Sequence, residues 1–162
     1  MKKVLALMLV CILALGAIAC GGEAKKEEGA VDWSKYPAKF EDWTFADLKD
    51  YLRTAGIIDA NEKCMSMDMG EADLAAGGVD AGMIYMDTEA GSIMDLILMA
   101  TADNLLDELR TSHTVAGTPM DALLGTFAFS YSNGYDEEHL AAIKKAINNL
   151  AEHYGVTPDF VN

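Results

Sequence analysis

Between residues 137 and 154 the apolar side chains fall at Leu140, Ile143, Ile147, Leu150 and Tyr154. That is one stripe of a 3.6-residue period, and it predicts a helix over 137–154. Asp136 stands ready to cap it, and Gly155 with Pro158 ends it. A second stripe, Phe45, Leu48, Leu52 and Ala55, predicts a helix over 45–55. Its start carries a capping-box spacing, Thr44 with Asp47 three residues on, and Trp43 placed to staple onto Leu48. Gly56 supplies the left-handed stop. A shorter helix is predicted over 102–112, with Leu105, Leu106 and Leu109 on one face and Thr101 as cap.

Elsewhere the period falls to two. Residues 63–69 alternate and predict a strand, and residues 82–87 and 92–101 flank a turn at 88–91 in the manner of a hairpin. The second arm, IMDLILMA, is apolar on both faces except at Asp95, so it is expected to be a central strand. Residues 123–131 alternate as well, which predicts a last strand with Leu123, Phe127, Phe129 and Tyr131 on one side. Residues 71–76 suit one helical turn, ended by Gly77 and Gly78. The stretch VDWSKYPAKF, residues 31–40, is aromatic but aperiodic, and Pro37 disfavours helix. It is expected to lie along the fold as an extended arm. The order of elements predicts an α+β fold: a four-stranded, mainly antiparallel sheet packed with about three helices.

The N-terminal 19 residues follow another pattern. Lys2 and Lys3 precede an uncharged apolar run over 4–19, closed by Ala17, Ile18, Ala19 and Cys20. At sixteen residues the run is shorter than the roughly 20 a spanning helix needs. A basic start, an apolar core and a small-residue end are the layout of a secretory signal. The segment resembles a bacterial lipoprotein signal, and Ala17-Ile18-Ala19-Cys20 stands where the lipobox falls. That resemblance covers residues 1–22 only. It implies that the Cys20 thiol is diacylated, that residues 1–19 are removed, and that the chain is held at the extracytoplasmic face of the cell membrane. Residues 20–30 then form a lipidated cysteine and a polar tether of about 17 Å as a coil, and residues 31–162 form a single α+β domain.

Charge narrows the partners. The whole chain carries a formal charge of −14, and loss of Lys2 and Lys3 takes residues 20–162 to −16. An acidic domain is a poor match for nucleic acid or an anionic membrane surface, so the membrane is expected to be reached through the lipid alone. With Cys11 in the signal and Cys20 acylated, Cys64 has no partner for an internal disulfide.

Motifs for chemistry are few. Among His113, His139 and His153, the last two are fourteen positions apart on one predicted helix, about 21 Å, and cannot share a metal. No His-x-x-x-His, Cys-x-x-Cys or Gly-x-Ser-x-Gly occurs, and no phosphate-cradling glycine loop. No cofactor is implied, and the chain does not read as an enzyme. Two features stand out. Asp95 is a carboxylate in a strand expected to be central, so it is either at the sheet's mouth or buried with a raised pKa; it is the candidate functional carboxylate, and its plainer readings are a solvated strand end or a hydrogen bond to a neighbouring backbone amide. The run Cys64-Met65-Ser66-Met67-Asp68-Met69 offers thiol and thioether donors, which select Cu(I). Neighbours at i and i+2 on a strand are about 6.8 Å apart, however, which is wide for one ion. The functional expectation is a lipid-anchored extracytoplasmic binding or interaction domain. Its alternatives are a Cu(I)-binding envelope protein using Cys64, Met65, Met67 and Met69, and a cell-surface enzyme of a class the residues do not name.

Overall fold

A computed structural model describes residues 31–58, 64–68, 79–87, 93–131 and 137–162, with the backbone alone at 64–67, 86–87 and 93–94. Strand β1 (Cys64–Asp68), β2 (Val79–Asp87) and β3 (Ile93–Ala100) are followed by helix α2 (Asp103–Ser112), the first helix being α1 (Phe45–Thr54). After a two-stranded ribbon, β4 (Thr114–Val115) and β5 (Thr118–Pro119), come β6 (Ala122–Leu124), β7 (Phe127–Ser130), α3 (Glu137–Tyr154) and β8 (Phe160–Val161). The main sheet has six strands in the order β1-β2-β3-β7-β6-β8, every adjacent pair antiparallel. The fold is α+β with three α-helices, as the pattern predicts, and β3 is central.

The sheet has two more strands than the four expected, and one cause lies at Gly125. Residues 123–131 do not run as one strand: Leu124 pairs with Phe127, and Gly125-Thr126 between them turn the chain into a hairpin. Gly125 has φ +59 while Thr126 is not left-handed, the pattern of a type II′ turn. A Cβ at Gly125 would also lie 2.7 Å from Phe40 Cε1, so the arm closes over this turn. The hairpin changes the parity of the faces. Leu123 pairs with Ala128 on one face, whereas Phe127 and Phe129 point to the other. The sixth strand, β8, adds to β6 after the last helix.

Each face has its own core. On one, α1, α3 and the arm cover Met83, Tyr85, Ile97, Phe127 and Phe129. On the other, α2 sets Leu105, Leu106 and Leu109 over Leu98, Ala100, Leu123 and Ala128. Residues of β3 therefore alternate between two buried surfaces, which is why its sequence is apolar throughout.

Helix α1 begins with the expected capping box: the Asp47 amide donates to Thr44 Oγ1 at 3.3 Å and the Thr44 amide to Asp47 Oδ2 at 2.9 Å. Its stop is Gly56, at φ +76. Helix α2 differs from expectation at its start. Ala102, not Thr101, is the N-cap, with no side-chain bond, because the Thr101 hydroxyl donates instead to Asp80 at the bulge between Val79 and Ala81. Helix α3 covers 137–154 as predicted; Asp136 lies outside the described residues, as do the signal, the tether, the turn at 88–91 and the helical turn at 71–76. The arm is not extended throughout. It holds two short 3₁₀ turns, Trp33–Lys35 and Phe40–Asp42, the first capped by Asp32.

Candidate functional site

Where the arm crosses α1 and α3, aromatic rings accumulate. Trp33 stacks with His153, at 3.9 Å and 6° from parallel, and with Tyr51, at 5.5 Å and 26°. Tyr51 is buried, and its hydroxyl donates to the Ala146 carbonyl at 2.7 Å, fastening α1 to α3. The Tyr154 hydroxyl donates to the Pro37 carbonyl at 2.8 Å and the Tyr36 hydroxyl to Asp50 at 3.1 Å, so the middle of the arm is tied to both α3 and α1.

Beside the Trp33 stack, between the start of the arm, α1 and α3, lies a cleft of about 370 Å³. Its apolar walls come from Val31, Trp33, Ala142 and Ala146, and its polar rim from Lys145, Asn149, Glu152 and His153. The rim follows from helix geometry: positions 142, 145, 146, 149, 152 and 153 recur at three and four, so they share the side of α3 next to α1. Alanines there leave room that larger residues would fill. A volume of this size suits a small ligand, with charge of both signs at the mouth. A second hollow of about 600 Å³ borders Phe40, Gly125 and Tyr154, and its lip carries the Lys39–Glu41 ion pair at 3.1 Å.

The second polar feature is deeper. Asp95 is 1% exposed, and its Oδ2 lies 2.7 Å from His139 Nε2 on the first turn of α3. Tyr85, directly across from Asp95 on β2, lies nearly parallel to the His139 ring at 6.3 Å. Asp95 Oδ1 is buried without a hydrogen-bond partner. Burial pushes the Asp95 carboxyl up, the His139 bond and charge pull it back, and the charge of Asp121 pushes it further up. Asp121 is itself buried, its Oδ2 accepting from the Tyr131 amide at 2.7 Å. Burial, then the Asp121 charge, raises the Tyr131 phenol as well.

The chain matches no protein-family model, no curated protein and no solved structure.

The residues singled out in the sequence are thus dispersed. Cys20 and Met69 lie outside the described residues. Cys64, Met65 and Met67 belong to β1, the edge strand. Asp95 is buried in β3, and its partner is an imidazole rather than a backbone amide. His139 was available to the pattern, since 139 precedes Ile143 by four and extends the buried stripe of α3 by one turn. The cleft was not, because it depends on how the arm packs. Ser130 offers Asp95 no nucleophile: it pairs with Leu96 and so occupies the other face. Among the described residues no three His, Cys, Asp or Glu side chains converge as a metal site.

Proposed function

We propose that this chain is a lipid-anchored extracytoplasmic binding domain whose ligand sits in the cleft between the arm, α1 and α3. The observation that carries the binding is the built cleft itself, with rings locked in place on one side and a polar helix face on the other. Preformed walls spare the ligand the cost of ordering them. The ligand class is a small molecule with an apolar body and polar ends, matched to alanine and Trp33 below and to Lys145, Asn149 and Glu152 at the rim. The address rests on the lipoprotein-like segment ending at Cys20. Among the described residues no helix is long and apolar enough to cross a membrane.

Native mass spectrometry of the full chain, gently extracted from its host membrane, tests the binding. A non-covalent small-molecule adduct is expected, and Ala142→Trp, which fills the cleft, should abolish it with the circular dichroism unchanged. An adduct that survives Ala142→Trp, or none at all in the wild type, would sink the proposal. The address is tested separately by Cys20→Ala, which should leave the membrane fraction.

A further inference from the structure

The cleft has a direction. Its polar rim is a row on α3, where Lys145, Asn149 and Glu152 follow one another at spacings of four and three. Seven positions are nearly two helical turns, so Lys145 and Glu152 share one side of the helix, about 10.5 Å apart along its axis. One end of the cleft is therefore cationic and the other anionic. The helix adds to the difference. Glu152 lies in the last turn of α3, which ends at Tyr154, and the negative pole of the helix favours a cation there.

Each part of the row sets a demand on the ligand. A dicarboxylate meets Glu152 with the wrong sign and a diamine meets Lys145 with the wrong sign, so the two ends must differ in charge. A single amino acid is too short, since one residue of extended chain spans at most about 3.6 Å. Three residues span about 10–11 Å, the separation of the two charges. Asn149, between those charges, has an amide that both donates and accepts, the pattern that a peptide group complements. Below the row lie Ala142, Ala146 and Trp33. In an extended peptide, alternate side chains point to opposite sides, so a middle apolar side chain can face this wall while the outer two face away. At about 370 Å³ the cleft is near the small end of ligand sites, as a peptide of this length requires.

We infer, on the reading that the cleft is the binding site, that its ligand is a free zwitterionic peptide of about three residues. Its carboxylate lies at Lys145, its ammonium at Glu152 and a central apolar side chain against Trp33.

The full chain, gently extracted from its host membrane and dialysed, is titrated by calorimetry with the tripeptide Ala-Leu-Ala. One peptide per chain should bind. Lys145 and Glu152 are exposed, so each charged contact contributes modestly. Amidating the peptide's carboxyl or acetylating its amine should weaken binding about threefold, and both together about tenfold. Leucine alone, which cannot reach both charges, should also bind about tenfold more weakly. Lys145→Gln should bind the free acid and its amide equally while still preferring the free amine, and Glu152→Gln should do the converse. Damage to the fold would weaken all the peptides together and leave their ratios unchanged. The inference is overturned if Ala-Leu-Ala does not bind, if capped and free peptides bind alike, or if the two variants keep both preferences. A chain that rejects the peptide yet carries an adduct abolished by Ala142→Trp keeps the cleft as a binding site and loses only the peptide. A chain with neither adduct nor peptide binding loses both.

Discussion

On one face of the sheet, two helices and an aromatic arm bury a core of large rings, and in its midst sits a carboxylate. On the other face, one ten-residue helix covers a smaller aliphatic core that includes Met120. The first face is over-determined: Tyr51 bonds to α3, Tyr36 to α1, Tyr154 to the arm, and Trp33 stacks with two rings. The second holds α2 by packing and by His113, which ends the helix in the left-handed region and stacks on Phe160 at 3.8 Å. Ring contacts and hydroxyl bonds are thus concentrated on the face that carries both the cleft and the buried Asp95–His139 pair.

The largest effect that separates the faces is expected on β3, where consecutive residues face opposite ways. Ile97 is 1% exposed beside Met83 and Phe129, and Leu98 is 3% exposed between Gly82 and Ala128. Ile97→Ala should cost about 4 kcal/mol, because the locked face cannot close over the cavity. Leu98→Ala should cost about 2–3 kcal/mol, since α2 can settle inward. Urea unfolding of both variants checks this. A Leu98 cost equal to or above that of Ile97 would mean that α2 is held as firmly as α1 and α3.

The buried pair gives the next effect. His139→Ala leaves Asp95 with no partner, which should cost about 3 kcal/mol at neutral pH. The loss depends on pH in a definite direction. Burial holds the folded carboxyl above its ordinary 3.8, so protonated Asp95 is the form the fold prefers. Stability from this group is complete below 3.8 and is lost as pH rises through the raised folded value. The gap between wild type and His139→Ala should therefore shrink as pH falls toward 3.8. A gap independent of pH would make His139 a packing residue only.

Asp95→Asn probes the same pair from the other side. The amide oxygen can still accept from His139, and no charge is buried. The variant should be more stable than wild type by about 1 kcal/mol at neutral pH, the scale of one unpaired buried polar atom. The advantage should fade toward acid, by the same sign as above. If Asp95→Asn is destabilised at pH 7, the charged pair contributes more than its desolvation costs.

How much of this was legible follows from where the information lay. Helices α1 and α3 were readable because caps and stops are local: Thr44, Asp47, Gly56 and Gly155 act within a few positions of themselves. Strand β3 was readable as central because both its faces are apolar. The β6–β7 hairpin was missed because Leu123, Phe127 and Phe129 keep an even spacing in sequence, while the two-residue turn at Gly125 reverses the chain. Asp95 could be marked as unusual, yet its partner is 44 positions away and meets it only once α3 lies on the sheet.

The smallest expected effect again contrasts the two faces, through their helix starts. Thr44 closes a capping box on α1, whereas Ala102 begins α2 with an extended backbone, φ −71 and ψ 124, and no side chain to offer. Thr44→Ala should cost about 1 kcal/mol, since the Asp47 amide loses its acceptor. Ala102→Ser should do the reverse. Residue 102 already has N-cap geometry, and its carbonyl accepts from Leu105 and Leu106 at 3.0 Å. A serine hydroxyl there adds an acceptor for the free amides of the first turn without moving the chain. The gain should be about 0.5–1 kcal/mol, read as a higher unfolding midpoint. The gain should come with slower hydrogen exchange in the first turn of α2. No gain would mean that the first-turn amides of α2 are already satisfied by water, and that packing alone sets the difference between the faces.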